Sequence, residues 1–148
     1  GGHVETDTTE DPDLHLVVDG KRLQPAFFEG RVCTFTVEAR PAAEVRLSSR
    51  SDVPSLLGIT RHDHRRVGVA VRGIELRQQG VVTAFDHDAP LFGEGGCHRA
   101  ENGYCWTDGE FELPAWVFAH LSGPFTLTVH FEKPGMRYSM PAAGRMAA

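Results

Sequence analysis

Apolar and polar residues alternate one for one along most of this chain, the period of a strand with one face on a core and the other in water. Residues 14–18 (Leu-His-Leu-Val-Val) read as a strand, and Asp19-Gly20 after them is a strong hairpin-turn signal. The predicted partner, residues 22–28, is interrupted by Pro25, which has no N–H to donate and points to an edge or a bulge. Glu29-Gly30 marks the next turn. In residues 31–37, Val32, Thr34 and Thr36 alternate against Cys33, Phe35 and Val37, and residues 45–49 alternate again after Pro41. Residues 50–65 are polar and broken by Pro54 and Gly58, so they read as a loop. Residues 67–76, small and β-branched along one face, are the most deeply buried strand candidate. Gln79-Gly80 turns into a strand over 81–85. A Gly-rich segment over 86–102 reads as irregular. Residues 104–107 are predicted to pair with 110–113 across Asp108-Gly109, and strict alternation over 125–131 marks the last strand. Beyond it the period is lost.

No segment longer than eight residues carries the 3.6-residue period of a helix. Eight or nine short strands, with turn signals every eight to twelve residues, predict an all-β fold. The expected architecture is a single antiparallel β-sandwich, jelly-roll or Ig-like, over residues 13–131. An acidic lead-in over 1–12 precedes it, and an irregular tail over 132–148 follows.

The 148 residues suit one domain with a core of ordinary size, and 41% hydrophobic with 24% charged residues is a globular composition. The net charge of −5 sits at one end. Residues 1–13 hold five acids and no Lys or Arg, so the fifteen acids of the remaining chain balance its fifteen bases. A balanced body with an acidic leader argues against a nucleic-acid partner, whose binders show a basic patch. Arg61, Arg65 and Arg66 beside Asp63 read as a solvated turn. No run approaches eighteen apolar residues, so no membrane span is expected, and no secretory signal is visible. A secreted or cell-surface location is favoured over a cytoplasmic one.

Recognition chemistry is most concentrated in Gly96-Cys97-His98-Arg99-Ala100-Glu101-Asn102-Gly103-Tyr104-Cys105-Trp106-Thr107-Asp108-Gly109, a loop between plain strands. His98, Glu101, Tyr104, Trp106 and Asp108 have the mixture with which β-sandwiches hold sugars: aromatic faces to stack on pyranose rings, and polar groups for the hydroxyls. The plainer alternative is that Trp106 and Trp116 cap the two ends of the core. His62-Asp63-His64 and Asp86-His87-Asp88 have ligand types suited to Zn²⁺, but as two solvated surface loops they need never meet, and no metal or other cofactor is expected. The acids from Glu5 to Asp13 lack an EF-hand pattern and read as an acidic linker. Catalysis has little support. The serines lie outside any Gly-x-Ser-x-Gly elbow, Cys97 and His98 are neighbours pointing apart, and Glu101 with Asp108 would need a cleft to act as a glycosidase pair. Cys33 reads as a core thiol. Cys97 and Cys105 have a spacing that a hairpin-like loop can close, and it is neither that of a zinc ribbon nor that of a Cys-x-x-Cys redox pair.

Three stretches taken together carry a resemblance. They are Asp11-Pro12-Asp13-Leu14-His15-Leu16-Val17-Val18-Asp19-Gly20, Arg65-Arg66-Val67-Gly68-Val69-Ala70-Val71, and Gly96-Cys97-His98 followed by Trp106-Thr107-Asp108-Gly109. Over residues 10–130 the chain resembles the C-terminal β-rich domain that accompanies Hint (hedgehog/intein-type) self-processing domains in some bacterial proteins, with similar signatures beside bacterial glycosyltransferases. The Hint active residues belong to the preceding domain, and nothing here matches them, so no cleavage chemistry carries over. Where that family has Trp after Gly96 and Arg before Trp106, this chain has Cys97 and Cys105. The two departures fall at the two ends of one loop and imply a Cys97–Cys105 disulfide in an oxidising compartment.

The expectation from sequence is therefore a non-catalytic accessory module of a larger bacterial protein. Glycan is its expected ligand, bound by His98, Glu101, Tyr104, Trp106 and Asp108. The alternative is a structural or interaction domain that positions a neighbouring self-processing or glycosyltransferase domain and has no small ligand of its own.

Overall fold

A computed structural model describes residues 7–54, 65–98, 102–132 and 136–140. The fold is all-β, three antiparallel sheets packed into one β-sandwich. The chain opens with β1 (Thr8–Thr9), β2 (His15–Val18), β3 (Lys21–Leu23), β4 (Phe27–Glu29), β5 (Val32–Val37) and β6 (Val45–Ser48). Next come β7 (Ala70–Gln78), β8 (Val81–Asp86), a helical turn α1 (Pro90–Glu94), β9 (Cys105–Trp106) and β10 (Glu110–Leu113). A 3₁₀ turn (Ala115–Phe118), β11 (Phe125–Glu132) and β12 (Tyr138–Ser139) complete it. The small sheet runs β10-β6-β2-β3. The large sheet runs β4-β5-β11-β7-β8, with β9 added to the free stretch of β7 beyond β8.

Alternation decides the core. Along β11, Phe125, Leu127, Val129 and Phe131 point inward while Thr126, Thr128, His130 and Glu132 point out, and β5 repeats the pattern with Cys33, Phe35 and Val37 inside. Leu16 and Leu47, paired with each other, and Phe111, paired with Leu47, face them from the small sheet. Asp19 and Gly20 both take positive φ (48° and 79°), as do Gln79 and Gly80 (50° and 82°), and these two-residue turns set the β2–β3 and β7–β8 hairpins.

Three expectations are corrected. Residues 22–28 are not one strand: β3 edges the small sheet and β4 the large one, so the chain changes sheets around Pro25. Asp108-Gly109 is a crossover and no hairpin turn. β9 pairs with β7 (Trp106 with Ala70, Cys105 with Val71), whereas β10 pairs with β6 in the other sheet. Only Gly109 of that dipeptide has positive φ (99°), and the corner is held by long-range partners: Ser49 N–H donates to the Gly109 carbonyl (3.0 Å) and Gly68 N–H to that of Thr107 (2.7 Å). The segment 86–102 contains α1, begun by Pro90, which buries Leu91 and Phe92 and stacks Phe92 on Phe111 at 5.3 Å.

The two ends of the described chain also meet. β1 pairs with β12, and the Tyr138 hydroxyl donates to the buried Gly68 carbonyl. Val67, Met136 and Tyr138 form a small second core with Trp106 packed against it. Parts of the lead-in and of the tail are thus ordered by each other.

Candidate functional site

The loop singled out from sequence is closed by a short ladder: Cys97 bridges Thr107, and His98 N–H donates to the Trp106 carbonyl (2.7 Å). This register puts Cys97, Cys105 and Thr107 on one face, where Cys105 and Thr107 are fully buried. His98, Tyr104 and Trp106 share the opposite, half-buried face. Tyr104 and Trp106 meet edge to face at 6.1 Å and 88°, forming an aromatic corner with His98 across the ladder from Trp106. The imidazole is oriented from outside the loop, its Nε2 lying 2.8 Å from the Arg66 carbonyl. A carbonyl only accepts, so Nε2 carries a proton in this contact. Asp108 has a different task. Its Oδ1 accepts the Glu110 N–H (2.9 Å), an Asx turn that starts β10. Glu101 lies outside the described residues. The structure therefore brings together three of the five residues, His98, Tyr104 and Trp106, and uses the fourth as a turn former.

The tryptophans differ in role. Trp106 rests on the second core, so its placement is partly structural, while Trp116 is exposed on the 3₁₀ turn and meets Phe85 edge to face at 6.4 Å.

Behind the aromatic corner the thiols of Cys97 and Cys105 are in hydrogen-bond contact and unbonded, and Cys105 Sγ also donates to the His98 carbonyl (2.9 Å). The expected disulfide is thus absent, although its partners are adjacent. The Cys97 hydrogen bond to Cys105 and its own burial push the Cys97 pKa up, while that same bond lowers that of Cys105. A hollow of about 340 Å³ lies in front of the pair, with His87, Asp88 and Phe92 among its walls. Of the histidine loops, His62 and His64 lie outside the described residues. The ligand atoms of Asp86, His87 and Asp88 fall within 4.8 Å of one another on a turn, where His87 Nδ1 sits 3.1 Å from Asp86 Oδ1. The N–H groups of His87, backbone then ring, lower the Asp86 pKa.

A second constellation escapes sequence reading altogether. On the outer face of the large sheet, Val32, His130, Gly73 and Asp86 stand in one row across β5, β11, β7 and β8. With only a hydrogen at Gly73, a hollow of about 550 Å³ opens over this row. A Cβ there would press on the Phe85 carbonyl at 3.0 Å. Glu75 reaches diagonally past the glycine to His130 (Oε1 to Nε2, 3.0 Å). The register slips next to it: His130 pairs with Gly73 but Phe131 with Val71, which leaves Arg72 as a bulged residue without a partner on β11. The bulge aims Arg72 at Glu132 (2.6 Å), which also takes Arg31 (2.8 Å). The available signals were a glycine inside a strand pattern and a charged residue beside it, and neither tells which strands flank them.

No protein-family model matches this chain, and neither the curated proteins nor the solved structures provide a match.

Proposed function

We propose that this domain is a non-catalytic glycan-binding module of a larger bacterial protein, with the aromatic corner of Tyr104 and Trp106 as its recognition surface. The observation that carries the reading is the corner itself: two half-buried rings at right angles, held on a sheet-anchored ladder, with the oriented imidazole of His98 opposite. A pyranose presents C–H faces and hydroxyl edges, and an L-shaped aromatic pair beside a hydrogen-bonding ring is complementary to both. Preorganisation by the ladder limits the ordering cost of binding. The polar atoms behind the corner have structural partners: His98 Nε2 the Arg66 carbonyl, Asp108 Oδ1 the Glu110 N–H, and Cys105 Sγ the His98 carbonyl. That commitment is what supports a binding over a catalytic role.

Binding of the domain to a glycan array tests the reading. Tyr104→Ala is the informative variant, because Trp106→Ala would also open the second core. Loss of array binding by Tyr104→Ala with an unchanged unfolding midpoint is the expected outcome. Wild-type protein that binds no glycan, or sugar hydrolysis abolished by Asp108→Asn in a folded protein, overturns it.

In an oxidising compartment the adjacent thiols of Cys97 and Cys105 are proposed to close into a disulfide, locking the ladder beneath the corner. The second reading, a domain that positions a neighbour, is favoured by one feature: the edge strand β8 leaves Val81 and Val82 exposed (65% and 42%), with Trp116 (51%) standing on Phe85 of the same strand.

A further inference from the structure

We propose that the hollow over Gly73 is a second ligand site and that it takes a sugar bearing a carboxylate, such as a hexuronic acid, with the carboxylate held by Arg31 and Arg72. The inference does not depend on the aromatic corner. It begins from charge. Two guanidinium groups, 61% and 58% exposed, share one carboxylate, Glu132, which is only 19% exposed. Each reaches Glu132 through a single Nη1, so most of the N–H donors of the pair are left for a ligand, with Asp86 also drawing on the charge of Arg72. A carboxylate from a ligand would complete a two-to-two arrangement in the planar geometry that guanidinium groups favour.

The rest of the lining selects what the carboxylate is attached to. Asp86 and the Glu75–His130 pair offer acceptors that suit sugar hydroxyls. They repel a compact multivalent anion, which would bring more negative charge among them. Val32 and Ala84 add apolar wall for the C–H groups of a ring, and about 550 Å³ is within the usual range for a small-molecule site. Two features of the strand pair build the place: the bulge that turns Arg72 toward Glu132, and the glycine that leaves the floor empty. Bulges re-aim side chains in this way next to binding sites.

The test is calorimetric titration of the 148-residue chain with a galacturonic-acid oligomer, and with its methyl ester as the neutral counterpart. The acid is expected to bind, the ester not, and affinity to fall with added salt. Arg72→Gln and Arg31→Gln should each weaken binding by roughly tenfold or more, the order of one charge-assisted hydrogen bond. Glu132→Gln frees both guanidinium groups and should tighten it, which keeps the proposal testable if an arginine variant fails to fold. Equal binding of acid and ester, no binding of either, full affinity in the arginine variants, or weaker binding in Glu132→Gln would each overturn the proposal.

Discussion

A thiol's chemistry follows from what surrounds it, and three cysteines in one small domain occupy three different surroundings. Cys33 faces the core from β5, and burial pushes its pKa up to about 12. At pH 8 its thiolate fraction is on the order of 1 in 10,000, so native Cys33 should resist iodoacetamide and react only in denaturant. Mass mapping of alkylated peptides checks this, and labelling of Cys33 at native-protein rates contradicts it. Cys97 and Cys105 share a hydrogen bond, so the first proton leaves Cys105 and the second is held at Cys97. Oxidation by glutathione disulfide should link them, releasing two thiols of glutathione and closing a loop whose crosslink is worth about 2–3 kcal/mol on the chain-entropy estimate. Non-reducing peptide maps with urea midpoints of the oxidised and reduced forms measure both. Separate alkylation of the two residues after oxidation contradicts the bridge.

Among the elements, α1 and the β1–β12 ladder depend most on specific partners. Gly93 and Gly95 sit two residues apart at α1 and should respond oppositely to alanine. A Cβ on Gly93 meets nothing within 4 Å, so Gly93→Ala should be neutral or stabilising by up to about 1 kcal/mol through helix propensity. A Cβ on Gly95 would run into the Glu112 carbonyl and the Phe111 ring, and Gly95→Ala should cost about 1–3 kcal/mol by overpacking. Urea unfolding of the two variants is the measurement. The β1–β12 ladder is latched by Asp52, which accepts N–H groups from Ser139 (3.0 Å) and Val53 (2.9 Å). Partial burial alone would raise its pKa, but these donors outweigh it and hold the carboxyl below the usual 3.8. A depressed folded-state pKa stabilises above the unfolded value, and that contribution is lost as pH falls through the folded one. The stability gap between wild type and Asp52→Asn should therefore be constant near neutrality and shrink below about pH 4. A gap that grows with acid would contradict the latch.

At the scale of the whole molecule, the two larger sheets share one core, and Phe111 links α1 to that core. It is fully buried, stacked on Phe92 of α1, and adjacent to the Gly95 backbone. Phe111→Ala should cost about 3–5 kcal/mol, since it removes contacts to a helix and to both sheets' filling at once. Chemical denaturation monitored at Trp106 and Trp116 reads it, and a loss under about 1 kcal/mol would mean the site collapses without a cavity.

The sequence by itself determined the strand faces and two of the turns, features that rest on local chemistry. Alternation along β5 and β11 named their buried residues, because a strand's faces follow from parity alone. Asp19-Gly20 and Gln79-Gly80 named two hairpins, because their turns need positive φ at adjacent positions. Cys33 was legible as a core thiol for the same reason as Phe35. Partnership between distant segments was not legible. Asp108-Gly109 carries a hairpin's local signal, yet Thr107 and Gly109 bond to Gly68 and Ser49, so the chain crosses between sheets there. The lead-in and tail show no period, yet they pair with each other as β1 and β12, and the Tyr138 hydroxyl and the Asp52 carboxylate bind the tail to the body. Of the site, the proximity of His98, Tyr104 and Trp106 followed from their places along one loop. The row Val32–His130–Gly73–Asp86 arises only where four strands lie side by side, and the slip that aims Arg72 at Glu132 belongs to the pairing of β7 with β11. Tertiary structure alone decided that hollow, because register is a relation between strands and no single strand encodes it.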